Sequence, residues 1–108
     1  MTDYVELRPE HMPRITEFCN RNFDYHRGRF AVEPLRRTIF DDPDHRGEQG
    51  FFLQDGEDVV GVTVGVQRGH EAWLKLFAVD KGRRRSGIGS EALSEIEERF
   101  RTSGVERV

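Results

Sequence analysis

The chain has 108 residues and a formal net charge of -3, with 34% charged and 35% hydrophobic residues. This balance is typical of one soluble globular domain, and no apolar stretch approaches the roughly 20 residues that a membrane-spanning helix needs. The acidic charge argues against general nucleic-acid affinity, so we expect neither nucleic acid nor a membrane as a partner. Cys19 has no second cysteine to pair with, and the N-terminus lacks the basic and apolar regions of an export signal. We therefore expect a cytoplasmic protein.

The first part of the chain predicts a short strand and then a helix. The strand covers Val5 to Leu7 and ends before Pro9. The helix runs from about Glu10 to Phe23, because apolar residues recur there at spacings of three and four and therefore share one stripe. The stripe consists of Met12, Ile15, Phe18 and Cys19.

A second, shorter helix follows an aromatic and basic loop that extends from Asn22 to Ala31. It has Pro34 at its start, since proline is tolerated in the first turn, and Asp41-Asp42-Pro43-Asp44 stops it. Its predicted inward residues are Leu35, Ile39 and Phe40.

The middle of the chain predicts an antiparallel sheet. Gly50 to Gln54 and Val59 to Gln67 flank the turn sequence Asp55-Gly56-Glu57-Asp58, so they should form a hairpin. Alternation in the second strand predicts that one face carries Val60, Val62, Val64 and Val66 and the other carries Gly61, Thr63 and Gly65. Glycine weakens a strand unless another group must approach it closely, so we expect such an approach here.

The next strand is expected from Glu71 to Val79 and is apolar on both faces. Alternation places Ala72, Leu74, Leu76 and Ala78 on one face and Trp73, Phe77 and Val79 on the other. A strand with two apolar faces is predicted to be central and covered on both sides.

The last predicted helix spans about Gly87 to Thr102 and ends at Gly104, a typical C-terminal glycine. Its apolar stripe is Ile88, Ala92, Leu93, Ile96 and Phe100, and its expected charge pairs are Glu95 with Arg99 and Glu97 with Arg101. Val105 begins a strand that should run parallel to the Glu71 to Val79 strand, since strand-helix-strand units cross over right-handed.

The segment from Val79 to Ser90 joins a strand to a helix and has the features of a phosphate site. Gly87 and Gly89 remove side chains that would keep a ligand from the backbone, and the first helical amides have no intrahelical acceptor. The helix dipole adds partial positive charge at this end. Formal charge comes from Lys81, Arg83, Arg84 and Arg85. A diphosphate would fit.

These residues resemble a known family. Arg84-x-x-Gly87-x-Gly89, between an apolar strand and an amphipathic helix, resembles the acyl-CoA motif of the GNAT superfamily of N-acyltransferases. The order of elements agrees over residues 4–108, and the specific motif lies within Leu74 to Leu93. The resemblance implies an α/β (α+β) fold with a mixed, mostly antiparallel sheet flanked by helices, and a domain that stops at the start of its fifth strand. It further implies an N-acetyltransferase in which a small-molecule or peptide amine attacks acetyl-CoA directly.

The resemblance also implies how the co-substrate is held. Backbone groups of Phe77 and Val79 would pair with the pantetheine arm, and an amide near Ala78 or Val79 would polarise the thioester carbonyl. The expected binding residues, whose amides from Arg84 onward would hold the diphosphate, are Phe77, Ala78, Val79, Arg84, Arg85, Ser86, Gly87, Ile88, Gly89 and Ser90.

Two other interpretations of the glycine motif stay open. Gly87-x-Gly89-x-x-Ala92 also satisfies the dinucleotide-binding fingerprint, but seven residues separate Val79 from Gly87, whereas that fingerprint places its first glycine directly after a strand. The loop could also be a purely structural turn. A contact of the arginines with nucleic-acid phosphate is a minor alternative, because the domain is acidic overall.

Acyl transfer needs a neutral amine, so some group must take its proton. Glu71 is the candidate catalytic base, with His70 beside it. Alternatively, Glu71 is a solvated charge at a strand end, His70 is a turn residue, and water removes the proton. Some superfamily members carry a strand glutamate at the position of Trp73, so that base is absent here.

The loop between the first two helices lines the acceptor site in the resembled family. Its residues Phe23, Tyr25, His26, Arg27 and Arg29 are therefore expected to select the acceptor, unless they only cover the sheet. No set of cysteine, histidine and acidic residues has metal-site spacing, so we expect no metal.

A strand that begins at Val105 with nothing beyond it would leave a sheet edge unpaired. It would also leave one helix face, formed by Ile88, Ala92, Ile96 and Phe100, only partly covered. We therefore expect a homodimer. The alternative to an active enzyme is a non-catalytic acyl-CoA-binding module or an inactive part of a longer acetyltransferase.

Overall fold

The computed structural model describes residues 2–23, 29–84 and 86–108. Within these residues the strands are β1 (Thr2–Glu6), β2 (Gly50–Asp55), β3 (Asp58–Arg68) and β4 (Glu71–Val79), and the helices are α1 (Met12–Asn22), α2 (Val32–Phe40) and α3 (Ile88–Thr102). Short 3-10 turns occupy Pro9–His11, Gly47–Gln49 and Lys81–Arg83. The four strands form one antiparallel sheet in the order β1-β2-β3-β4. The fold is thus the mixed α+β class that the sequence predicts.

Helices cover both faces of the sheet and give it two hydrophobic cores. On one face α1 and α2 pack against β2, β3 and β4, with Met12, Ile15, Phe18, Leu35, Ile39, Phe52, Val62 and Val64 buried together. On the other face α3 packs against the sheet, with Phe51, Leu53, Val60, Ile88, Ala92, Ile96 and Phe100 buried together. Burial of each large apolar side chain contributes about 1.5–3 kcal/mol, so the two cores position the helices firmly on the sheet.

The predicted single valine face of β3 is wrong. Leu53 of β2 pairs with Gly61, but Gln54 pairs with Val59, so Val60 is an extra residue in the ladder. This bulge turns Val60 toward the α3 core, whereas Val62 lies in the core beneath α1 and α2. A β-bulge changes side-chain direction at one residue, which strict alternation cannot anticipate.

A second bulge divides β4. Gly65 pairs with Leu74 and Val64 pairs with Leu76, so Lys75 is the extra residue. As a result Leu74 packs in the α3 core and Leu76 packs in the α1 and α2 core, although the sequence predicts one face for both. Within the described residues β4 is also an edge strand rather than a central one, and β3 is the strand buried on both faces.

The end of α3 follows the sequence prediction more closely. Gly104 has a φ of +88°, and Glu95 pairs with Arg99 at 3.1 Å. Arg101 pairs with Glu98 instead of the predicted Glu97. Beyond Gly104 one bridge joins Arg107 to Glu71 in the predicted parallel direction.

The apolar face of α3 is covered, contrary to expectation. Ile88 is 7% exposed and its three partners on that face are 1% exposed or less, because β2 and β3 lie directly beneath them. One argument for a dimer is therefore removed. None of the helices among the described residues combines the length and apolar content needed to cross a membrane.

Candidate functional site

The loop between β4 and α3 is shaped by its own backbone contacts. Asp80 donates its amide to the carbonyl of Val60 at 2.9 Å, and its carboxylate accepts the amide of Gly82 at 2.8 Å. Ser86 donates both its amide (3.1 Å) and its hydroxyl (2.6 Å) to the carbonyl of Arg83. These bonds fix the direction of the chain on either side of the 3-10 turn.

The first turn of α3 presents backbone amides without acceptors. Gly87 precedes the helix with a φ of +89°, a left-handed conformation that favours glycine, and no side chain caps the helix. The first helical bond runs from the Glu91 amide to the Gly87 carbonyl at 3.0 Å. Among the described residues we find no acceptor for the amides of residues 87–90. Such amides, together with the helix dipole, favour an anion.

The described residues leave room for a side chain at both glycines. A Cβ on Gly87 would meet no atom within 4 Å, and a Cβ on Gly89 would meet only Cγ2 of Val79, at 3.6 Å. Apart from its chain neighbours, no described side chain therefore requires glycine at position 89. Ser90 is exposed, whereas the side chain of Ile88 is buried in the α3 core, so Ile88 offers only its backbone.

The open edge of β4 lies beside this helix terminus. Because the Asp80 amide points to Val60 of β3 and backbone direction alternates along a strand, the amides of Phe77 and Val79 point away from β3. By the same alternation the amide of Ala78 faces β3. The Val79 amide, rather than that of Ala78, is thus directed toward the open edge.

Two of the predicted cationic side chains turn away from the glycine loop. Arg83 binds the carboxylate of Asp55 in the β2–β3 turn, which lowers the pKa of Asp55 and raises that of Arg83 through their hydrogen bond. Arg84 donates to the carbonyls of Asn22 (3.1 Å) and Val79 (3.4 Å). Arg83 is thus paired with a carboxylate, whereas Arg84 contacts neutral carbonyls and keeps its charge, so a contribution of Arg84 charge to phosphate binding stays a prediction. Arg85 lies outside the described residues.

Comparison with known proteins identifies the family. The model of the acetyltransferase (GNAT) family matches residues 12–108. The chain belongs to the GNAT acetyltransferase family. No curated protein sequence matches it significantly.

Solved structures share the GNAT fold at low sequence identity. The ribosomal-protein-S18-alanine N-acetyltransferase from Escherichia coli is 20% identical with a TM-score of 0.75, and the match covers 97% of this chain and 63% of that one. An aminoglycoside acetyltransferase from an uncultured soil metagenomic sample is 15% identical, with a TM-score of 0.76 and coverage of 99% and 74%. GphF, a GNAT-like decarboxylase in complex with isobutyryl-CoA, is 16% identical, with a TM-score of 0.70 and coverage of 87% and 56%. The chain thus spans less than two thirds of the Escherichia coli enzyme.

The candidate base of this GNAT domain lies far from the glycine loop. Glu71 begins β4 and Val79 ends it, so about 26 Å separate them at 3.3 Å per residue. The Glu71 side chain is 67% exposed and its nearest cation is Arg107, at 3.9 Å. His70 beside it contacts the Gly104 carbonyl through Nδ1 at 2.9 Å. The catalytic role of Glu71 stays a prediction.

A charged cluster beneath the β4 bulge was not predicted. Lys75 binds Asp42, and this hydrogen bond lowers the pKa of the Asp42 carboxyl. Burial lowers the pKa of the nearby His45, whose Nδ1 is buried and has no partner among the described residues. The sequence offers no spacing that would bring Asp42 and Lys75 together, since 32 positions and two strands lie between them.

The predicted acceptor loop lies largely outside the described residues. Tyr25, His26 and Arg27 belong to the part that is not described, while Phe23 packs edge-to-face against Phe30 with centroids 5.7 Å apart. Within the described residues no three metal-binding side chains cluster. The expectation of a metal-free site stays a prediction.

Proposed function

We propose that this chain binds acetyl-CoA and transfers the acetyl group to an acceptor amine. The observation that carries the proposal is the first turn of α3, whose amides have no acceptor among the described residues and lie close to the end of β4. A diphosphate would accept hydrogen bonds from the amides of Gly87 to Ser90. The amide of Ser86 already donates to Arg83, so it contributes less than the sequence predicts.

The open edge of β4 offers a second recognition element. The outward backbone groups of Phe77 and the outward amide of Val79 can pair with a pantetheine arm as an added strand would, while the Val79 carbonyl already accepts a hydrogen bond from Arg84. The outward amide of Val79 is then the donor that stabilises negative charge on the thioester oxygen as the amine attacks. The amine nitrogen forms the new bond to the carbonyl carbon, the carbon–sulfur bond breaks, and the thiolate leaves.

The proton of the amine needs an acceptor, and the described carboxylates differ in suitability. Asp42 is a weak candidate, because its hydrogen bond to Lys75 lowers the pKa of its carboxyl. Glu71, about 26 Å from Val79 along β4, could take the proton only through a chain of water molecules, and in that form it remains our proposed base. Proton removal by water without Glu71 is the alternative. We infer that the acceptor is a small-molecule or peptide amine and that the protein is cytoplasmic. The Cys19 thiol is buried, and burial raises its pKa to about 11. A free thiol of this kind suits a reducing compartment.

A second candidate is an acyl-CoA-binding domain without acetyl transfer to an amine. Trp73 stands at the position where some family members carry a strand glutamate, and it is 44% exposed. GphF, which has a similar fold, is described as a GNAT-like decarboxylase. Both activities would use the same glycine loop, so binding alone does not separate them.

The decisive experiment measures acetyl-CoA binding and turnover on one preparation. Calorimetry gives the Kd, and release of free CoA thiol is followed with and without a panel of small amines, amino acids and peptides. We expect acetyl-CoA to bind, and we expect the release of free CoA thiol to depend on one class of amine. Binding without amine-dependent release would favour the second candidate, and absence of binding would contradict both.

A further inference from the structure

The C-terminal end of α1 is attached to the glycine loop by two hydrogen bonds, and a third joins the loop to β4. The Lys81 amide donates to Oδ1 of Asn22 at 2.8 Å, and Nη2 of Arg84 donates to the Asn22 carbonyl at 3.1 Å. Nε of Arg84 reaches the Val79 carbonyl at 3.4 Å. Asn22 is 4% exposed, and its Nδ2 donates to Phe18 within α1 at 2.9 Å. The polar groups of a single buried residue thus hold both the helix end and the loop.

The chemistry of these contacts explains the choice of side chains. The last carbonyls of a helix have no intrahelical donor, so the Asn22 carbonyl needs an outside partner, which Arg84 supplies. The rigid planar guanidinium can serve two carbonyls at once, whereas a lysine ammonium is a point charge on a flexible stem. Arg84 therefore joins the end of α1 to the end of β4, and the glycine loop begins at this junction.

We propose that Asn22 and Arg84 are positioning residues that set the path of the diphosphate-binding loop, so that Arg84 acts through its contacts with α1 rather than by charge on the ligand. This inference rests on the proposed function, because it assigns these two residues a task in acetyl-CoA binding. It differs from the expectation that Arg84 attracts phosphate directly. The two alternatives predict a different salt dependence of acetyl-CoA binding and a different additivity of the two substitutions.

The test compares Asn22→Ala, Arg84→Lys and the double variant by calorimetry with acetyl-CoA at low and high salt. Positioning predicts that each single variant weakens binding roughly tenfold and that the double variant is no weaker than the poorer single one. It also predicts the same fold loss at both salt concentrations, because the bonds are intramolecular and Arg84→Lys keeps the charge.

Matched controls separate positioning from general stability. Asn20→Ala, also on α1, removes two bonds to the Phe30 backbone (2.7 and 3.0 Å), so it should lower the free energy of unfolding while leaving the Kd unchanged. Arg37→Lys, at an exposed position of α2, should change neither the free energy of unfolding nor the Kd. Hydrogen exchange of the Lys81 amide in the ligand-free protein should accelerate in Asn22→Ala but not in Asn20→Ala.

Three outcomes would overturn the inference. They are binding by Arg84→Lys as tight as that of the unsubstituted protein, losses that add and shrink at high salt, and unchanged exchange of the Lys81 amide in Asn22→Ala. Each leaves the proposed function intact. Failure of the unsubstituted protein to bind acetyl-CoA would instead contradict the proposed function, and the inference with it.

Discussion

A Cβ on Gly65 of β3 would lie 2.3 Å from Cζ of Phe100 in α3. The Phe100 ring is fully buried and therefore rests directly on the backbone of the central strand. The sequence predicts a close approach to the glycines of this strand, and Phe100 is the group that makes it. Because α3 carries the proposed diphosphate site at its other end, this contact helps to set the tilt of the helix that presents the site.

Gly65→Ala should lower the free energy of unfolding by about 1–3 kcal/mol, the usual effect of overpacking. Phe100→Leu removes ring atoms, so the double variant should lose less than the sum of the two single losses. Denaturant unfolding measures the free energy of unfolding of all three variants. Gly47→Ala, where a Cβ would sit at 3.4 Å from the flexible Glu6 side chain, is the control. Strict additivity would show that Gly65 and Phe100 do not interact in this way.

The two glycines of the loop should respond differently to valine. Gly89→Val should fold normally and lose acetyl-CoA binding, because its Cβ has only an ordinary contact with Val79 and its methyl groups would enter the space in front of the amides. Gly87→Val should also destabilise the fold by about 1–2 kcal/mol, since its φ is +89°. Gly89→Val is therefore the variant that we expect to leave the fold intact. Unchanged affinity in folded Gly89→Val would contradict the proposed site.

Periodicity and turn chemistry predicted the helices and the later strands close to their observed bounds, whereas the first strand, predicted from Val5 to Leu7, is Thr2–Glu6. The stripe around Ile15 predicted α1, and the Asp55–Asp58 turn predicted the hairpin, because both depend on neighbours in the chain. The bulges at Val60 and Lys75 were not predictable, since they arise from how two strands pair over their full length.

The candidate site was predictable in its backbone but not in its side chains. A glycine in the left-handed region followed by a helix determines where free amides lie, and Gly87 shows this. The direction of an arginine depends on which carbonyl or carboxylate the fold places nearby. Asn22 is 62 residues before Arg84, and nothing in the local sequence connects the two.

Glu71→Gln tests the proposed base. If Glu71 removes the proton, turnover at neutral pH should fall while the Kd for acetyl-CoA stays constant, since the side chain lies at the far end of β4 from the glycine loop. Glu106→Gln, a neighbouring exposed carboxylate, is the control. Equal turnover across the pH range would exclude Glu71 and favour proton removal through water.

Burial of His45 should make stability depend on pH. Burial lowers the pKa of His45, and the charged groups around it are Asp42, Lys75, Glu48 and Glu6. Below the unfolded value of 6.5 the unfolded chain binds a proton that the folded protein does not, so this contribution to stability is lost as the pH falls from 6.5 through the folded pKa. His45→Gln should therefore flatten unfolding free energy against pH in that window. An unchanged slope would contradict this role.

The outer edge of β4 leads to the last prediction. Apart from the Arg107 contact at its beginning and the Arg84 contact with the Val79 carbonyl at its end, this strand has no partner along that edge within the described residues, and open edges pair readily with another chain. We predict a two-fold dimer through the β4 edges with little activity of its own. The pantetheine arm would need the same edge, so acetyl-CoA should shift the dimer toward the 12.6 kDa monomer. Light scattering with and without acetyl-CoA measures this shift, and a monomer under both conditions would show that the edge does not pair.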